Sequence, residues 1–187
     1  TAWTTTSSNC RARGSNMSSV EAATAPLELT LSRLIDAPAE LVFQAWTSQE
    51  HAAQWWGPQG FTVVSCQLDA RPGGSYRVAM RSPEGTVHTK CGRYREVRPP
   101  ERLAFSYAWE DASGRPGHEM FVTVSLRPQG GKTLLTLHQT GFENAAARDS
   151  HRAGWTGCQQ RLADFIAALS AGTPPERRST TPGPAVS

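Results

Sequence analysis

NAAARDSHRAGWTGCQQRLADFIAALS, residues 144–170, decides the fold. Its larger side chains recur as His151, Trp155, Cys158, Leu162, Phe165 or Ile166, and Leu169. Steps of four and three place them on one stripe of an α-helix. Asn144 suits the N-cap, and Gly172 followed by Pro174 and Pro175 suits the stop. Most of the chain before this helix reads as strands, and a single long helix needs a large apolar surface to lie against. A curved sheet wrapped around it is the simplest arrangement.

Around Trp155 the stripe is flanked by Ala153, Gly154 and Gly157. Glycine costs roughly 1 kcal/mol relative to alanine inside a helix, so two of them mark a close approach to the backbone. Close helix–sheet packing accounts for them most simply, and a ligand is the alternative.

Working outward, the 187-residue chain fits one domain of about 140 to 150 residues with loose ends. No apolar run approaches the roughly 18 residues of a membrane span, and no signal-peptide pattern opens the chain. Cys10, Cys66, Cys91 and Cys158 show no CxxC or finger spacing, which points to reduced thiols in a cytoplasmic protein. A net charge of +3 is too small to argue for nucleic acid. The five histidines are at least thirteen residues apart, so no metal site is expected. No cofactor is expected either.

Residues 1–25 are polar, carry almost no apolar pattern and read as a disordered extension. The part before Met17 reads as an upstream addition. Residues 171–187, rich in proline, read as a disordered tail. The domain then spans 27–170. Leu27 to Ile35 alternates as a strand. Pro38 opens a short helix with Leu41, Val42, Ala45 and Trp46 on its apolar face, and Thr47 with Glu50 resembles a capping box for a second helix ending near Trp56. Six strands follow: Phe61 to Asp69, Ser75 to Arg81, Thr86 to Val97, Arg102 to Trp109, His118 to Arg127 and Lys132 to Thr140. Short Gly- and Pro-rich turns join most of them into an antiparallel meander. The predicted class is α+β, with about seven strands and the helices on one face.

Alternation assigns the faces. Tyr76, Val78 and Met80 share one, as do Leu103, Phe105, Tyr107 and Trp109, and Met120, Val122, Val124 and Leu126. Tyr94 and Val97 have opposite parity, so either a bulge separates them or only one points inward. An aromatic and methionine lining with polar tips at Tyr76, Tyr107 and Gln139, joined by His88 and Tyr94, suits a small-molecule pocket; it equally suits a filled core. Between Arg71 and Arg102 eight basic residues stand against three glutamates. Arg77 and Arg81 point away from the helix, as a solvated outer face requires.

Four segments then fall into one pattern: Trp55-Trp56-Gly57-Pro58; Arg71-Pro72-Gly73-Gly74; Gly92-x-Tyr94-x-Glu96 with Pro99-Pro100-Glu101-Arg102-Leu103; and Gly141-Phe142 leading to His151-x-x-Gly154-Trp155. Together they resemble the bacterial proteins similar to the C-terminal domain of the activator of the heat-shock protein 90 ATPase. That family lies within the START-like, or SRPBCC, helix-grip superfamily, alongside polyketide cyclases and Bet v-type plant proteins. The resemblance covers Leu27 to Ser170. It implies a curved antiparallel sheet gripping the C-terminal helix, and a hydrophobic ligand between them.

By that resemblance the cavity residues are Trp46, Trp56, Tyr76, Met80, Phe105, Tyr107, Trp109, Met120, Val122, Gly154, Trp155 and Cys158. No catalytic residue carries over. The expected function is binding of a hydrophobic or aromatic small molecule in stress response or self-resistance, by a monomer or homodimer with no nucleic-acid partner. One alternative is an enzyme of the polyketide cyclase or hydrolase type, which needs a paired acid and base; His88, Tyr107, Glu119, Gln139 and His151 are the available groups. The other is a chaperone cofactor, and for that about 26 mostly polar residues ahead of the fold are too few to form an activator domain.

The ends lack the apolar periodicity that would offset an ordering cost of about 1–2 kcal/mol per residue. A chain trimmed to Ala25–Gly172 is therefore expected to melt close to the full chain; a large loss of melting temperature would show that one end packs on the domain.

Overall fold

The computed structural model describes residues 27–172. The extension expected at 1–25 and the tail beyond Gly172 lie outside the described residues.

Strand β1 (Leu29–Ile35) is followed by helices α1 (Ala39–Thr47) and α2 (Gln49–Trp55). Strands β2 (Thr62–Leu68), β3 (Ser75–Arg81), β4 (Val87–Arg98), β5 (Arg102–Trp109), β6 (Met120–Gln129) and β7 (Lys132–Thr140) come next, and helix α3 (Ala145–Ser170) closes the order. All seven strands form one sheet, β1-β7-β6-β5-β4-β3-β2, antiparallel throughout. The meander runs from β2 to β7. β1 sits on the far edge beside β7, with Leu31 opposite Leu137, so α1 and α2 carry the chain from one edge to the other. The sheet curls, and α3 packs on its inner face, a helix-grip-like α+β layout.

Helix α3 starts where its cap chemistry dictates. The Asn144 side chain accepts a hydrogen bond from the Ala147 backbone N–H at 2.8 Å. At the other end Gly172 takes φ +68°, a left-handed turn that suits glycine. Trp155, Cys158, Leu162, Phe165 and Ile166 are buried along the expected stripe, and Gln159 joins them. They meet Leu29, Ile35, Val124, Leu135 and Leu137 in one core with Val42, Phe43 and Trp46 of α1.

Local details differ from expectation for identifiable reasons. Pro38 is the N-cap of α1 with extended ψ rather than a first-turn residue. The second helix is capped by Ser48, whose hydroxyl accepts from His51 N–H; Thr47 instead turns back onto the Phe43 carbonyl, ending α1. One residue therefore closes a helix and the next opens another, which the Thr47–Glu50 spacing does not reveal. In β4 the pairing register shifts between Tyr94 and Glu96. This bulge is what lets Tyr94, opposite Phe105, and Val97, opposite Leu103, both turn toward the core despite their opposite parity.

The outer face is solvated and its charges are largely matched. Arg77 makes a bidentate pair with Glu110 at 2.7 Å, and Arg71, Arg95, Arg98 and Arg102 each pair with an acid.

Leu162 is fully buried in mid-stripe. Leu162→Ala is expected to cost about 2–5 kcal/mol in denaturant melts; a loss under about 1 kcal/mol would mean that the helix grips the sheet elsewhere.

Candidate functional site

A cavity of about 400 Å³ lies between the first half of α3, strands β3 to β5 and the loop joining α2 to β2. Met80, Lys90, Tyr107, Trp155 and Cys158 are the buried part of its lining; His88, Trp109 and Ser150 are exposed at its rim. Pro58, Phe61, His151 and Gly154 complete the wall.

The two helix glycines have different roles. A Cβ on Gly157 would stand 3.2 Å from the Gln59 backbone nitrogen and 3.5 Å from Pro58 Cα, so Gly157 lets the α2–β2 loop lie directly on the helix. The close partner is a loop, not a strand. A Cβ on Gly154 would meet only Pro58 Cγ, at 3.9 Å, and Gly154 borders the cavity. Gly154 thus leaves volume empty where an ordinary side chain would take it.

One polar chain organises the α3 wall. Gln139, fully buried on β7, accepts from Trp155 Nε1–H at 2.7 Å. The same oxygen lies 3.2 Å from His151 Nδ1, and Trp109 Nε1 lies 3.2 Å from His151 Nε2. An indole nitrogen only donates, so His151 Nε2 accepts, Nδ1 carries the proton, and the ring is neutral. Burial first, and the Lys90 charge second, hold His151 down at about 4, in agreement with that tautomer. A histidine so fixed is a poor base near neutral pH.

Lys90 is the unexpected member. It is 2 % exposed, and its ammonium donates to one acceptor, the Trp56 carbonyl at 3.0 Å. The charge sits 4.8 Å from the Trp56 ring centroid and 5.7 Å from that of Trp155, within cation–π range. Among the described residues it forms no ion pair. It is lowered from 10.5 to about 8, chiefly by burial, with Cys158 and Cys66 opposing and Arg161 adding to the drop.

Of the twelve residues expected around a cavity, Met80, Tyr107, Trp109, Gly154, Trp155 and Cys158 line this one. Trp46, Trp56, Tyr76, Phe105, Met120 and Val122 lie in the packed core. Their rings interlock: Trp56 stacks on Tyr76 at 5.2 Å and Tyr76 meets Phe105 edge-on at 5.5 Å. Parity told which face they share, not how deep they sit. Pro58, Phe61, Lys90 and Ser150 were not anticipated; His88 was expected as a polar member of the inward face and His151 on the helix stripe, both also as acid–base groups. For Lys90 a signal existed, since it shares parity with His88 and Tyr94. Glu119 is exposed, paired with Arg95 at 3.7 Å and off the lining. No carboxylate lines the cavity among the described residues, nor do they hold a metal-binding cluster or a helix long and apolar enough to cross a membrane.

The lysine sets a pH test. With its folded value near 8 and 10.5 as the ordinary value of a lysine, the unfolded chain binds more protons between those limits, so stability falls as pH drops through that window and stays low beneath it. Lys90→Met removes this penalty, partly offset by losing the Trp56 bond. It should gain about 1–3 kcal/mol at pH 7 in denaturant melts, and the gain should shrink toward pH 10. A loss of stability at pH 7 would show that the ammonium is a net structural support.

Against known proteins, the family model described as Activator of Hsp90 ATPase homolog 1-like protein matches residues 36–167. No curated protein matches. Solved structures do. A Chromobacterium violaceum protein is 32% identical, covering 76% of this chain and 98% of its own, with TM-score 0.67. A Silicibacter pomeroyi protein described as AHSA1 is 28% identical, with coverage 76% and 99% and TM-score 0.70. One from Nitrosomonas europaea is 26% identical, with coverage 77% and 96% and TM-score 0.67.

Proposed function

We propose a ligand-binding role whose premise is family: the chain belongs to the activator of Hsp90 ATPase homolog 1-like family, and its distinctive feature is the cavity beside α3. The protein binds a hydrophobic, aromatic small molecule between the sheet and the helix, as a cytoplasmic component of stress response or self-resistance. The observation that carries this reading is a space of about 400 Å³, walled by Phe61, Met80, Tyr107, Trp109 and Trp155, with Gly154 leaving it open. That volume falls within the range of ligand pockets, about 300–1,000 Å³, and the mix of aromatic wall and few polar groups is theirs as well. Flat rings on the wall suit a flat ligand, which stacks or meets them edge-on. Binding is favoured over catalysis because His151 is committed to two hydrogen bonds and, among the described residues, no carboxylate stands on the wall to complete an acid–base pair.

The test fills the space. N-phenyl-1-naphthylamine, a neutral probe that brightens in apolar surroundings, should bind the protein. Gly154→Leu should abolish that binding and change stability by less than about 1 kcal/mol, because an existing void absorbs the added methylenes. Gly157→Leu serves as the contrast, since it meets the backbone of the Pro58–Gln59 loop and should cost about 1–3 kcal/mol or more. Absence of probe binding by the parent, with Gly154→Leu as damaging as Gly157→Leu, would make Gly154 a packing contact and end the proposal.

A further inference from the structure

Lys90 gives the cavity a chemical preference that its apolar wall does not. Its ammonium is walled in by Trp56 and Trp155 and holds one carbonyl acceptor, although it carries three donor hydrogens. A buried charge normally has a partner, and among the described residues Lys90 has no acidic one; the charged side chain that acts on it, Arg161, has the same sign. Lys90 is also one of the residues that line the cavity. We propose that Lys90 makes the cavity selective for aromatic carboxylates, the ligand's anionic oxygens taking the ammonium's open donor positions while its rings lie among Tyr107, Trp109 and Trp155. This inference rests on the binding role proposed above and names the ligand class.

The arrangement favours a carboxylate over a neutral ring for two reasons. It cancels a charge already removed from water, so the protein's share of the desolvation cost is met before the ligand arrives. It also adds charge-assisted hydrogen bonds, which are about twice as strong as neutral ones. The preference must then follow the protonation of Lys90. Burial keeps the surrounding groups out of the same pH range: it pushes the Cys158 thiol and the Tyr107 phenol up, puts Cys66 on β2 at about 11, and holds His151 at about 4. Arg161 on α3 adds a constant positive charge, and His88 stands at the rim.

The experiment compares 2-naphthoate with 2-naphthamide, two ligands of nearly one shape that differ in charge, by isothermal titration between pH 7 and pH 10. At pH 7 the carboxylate should bind at least about tenfold more tightly. Its affinity should fall as pH rises past about 8, while that of the amide stays level. Lys90→Met should remove both the preference and its pH dependence, yet still bind the amide. Equal affinities in the parent, or a preference that survives Lys90→Met, overturns carboxylate selection and leaves the aromatic-binding role intact. So does failure of 2-naphthoate to bind where N-phenyl-1-naphthylamine binds. If neither naphthyl ligand nor that neutral probe binds, the binding role falls and this inference with it.

Discussion

The hydrogen bond from Trp155 to the buried oxygen of Gln139 ties the start of α3 to the sheet. Because the indole can only donate, it dictates which end of the Gln139 amide faces the helix. The amide nitrogen is thereby turned toward Met120, whose sulfur lies 3.4 Å away. The oxygen left facing the helix also receives His151, and His151 in turn receives Trp109 from β5. Three side chains on two elements thus take their orientation from a single glutamine on β7. Buried polar groups carry a penalty if left unpaired, and here that penalty enforces the geometry of the cavity wall.

Beyond this anchor the helix divides. From Leu162 onward its stripe is buried in the core through Leu162, Phe165 and Ile166, and Phe165 meets His51 of α2 edge-on at 5.3 Å. At the level of Trp46, Trp55 at the end of α2 and Trp56 just after it meet the Trp46 ring edge-on, at 4.7 and 5.8 Å between ring centroids. Earlier on the helix, Gly154 stands where a filling side chain would otherwise be, while Gly157 is covered directly by the loop. The sheet is too wide for one helix to fill, and the short helices cover only part of the difference. Empty volume therefore collects beside Gly154, bounded by Pro58 and Phe61.

The fold was legible because its signals are periodic. The α3 stripe, the strand alternation and the turn residues each repeat, and the four motifs occur in the order of the family. The placement of β1 beside β7 was not legible, since pairing between distant strands leaves no local mark. The cavity was half legible. Gly154 and Trp155 announced an irregularity in the helix, and Met80, Tyr107 and Trp109 lay on the correct face. Trp46, Trp56 and Phe105 lay on the correct side as well, but whether a ring fills space or borders it depends on neighbours from four other elements. Lys90 was hidden for a different reason. It stands in a run of arginines that do face solvent, and composition assigned it to them, whereas its parity with Tyr94 placed it inside.

Two cations beside the cavity show how burial and satisfaction separate structure from chemistry. Arg161 spends its planar fork on the carbonyls of Gln54, Gly57, Pro58 and Phe61. Those four acceptors belong to the end of α2 and the loop after it, so Arg161 fastens to α3 the segment that carries two wall residues. A guanidinium suits this work, because its rigid donors match several fixed acceptors at once. Lys90 is the more deeply buried of the two, yet it has one carbonyl and two tryptophan faces. Its desolvation is a standing cost to the fold, sustained by the surrounding aromatic core. The wall is fastened by Arg161 and oriented by Gln139 without help from any ligand, so the space and the lysine that lines it exist in advance. A partner that fits there meets a site already ordered, and loses less affinity to reorganisation than one that must build its site on arrival.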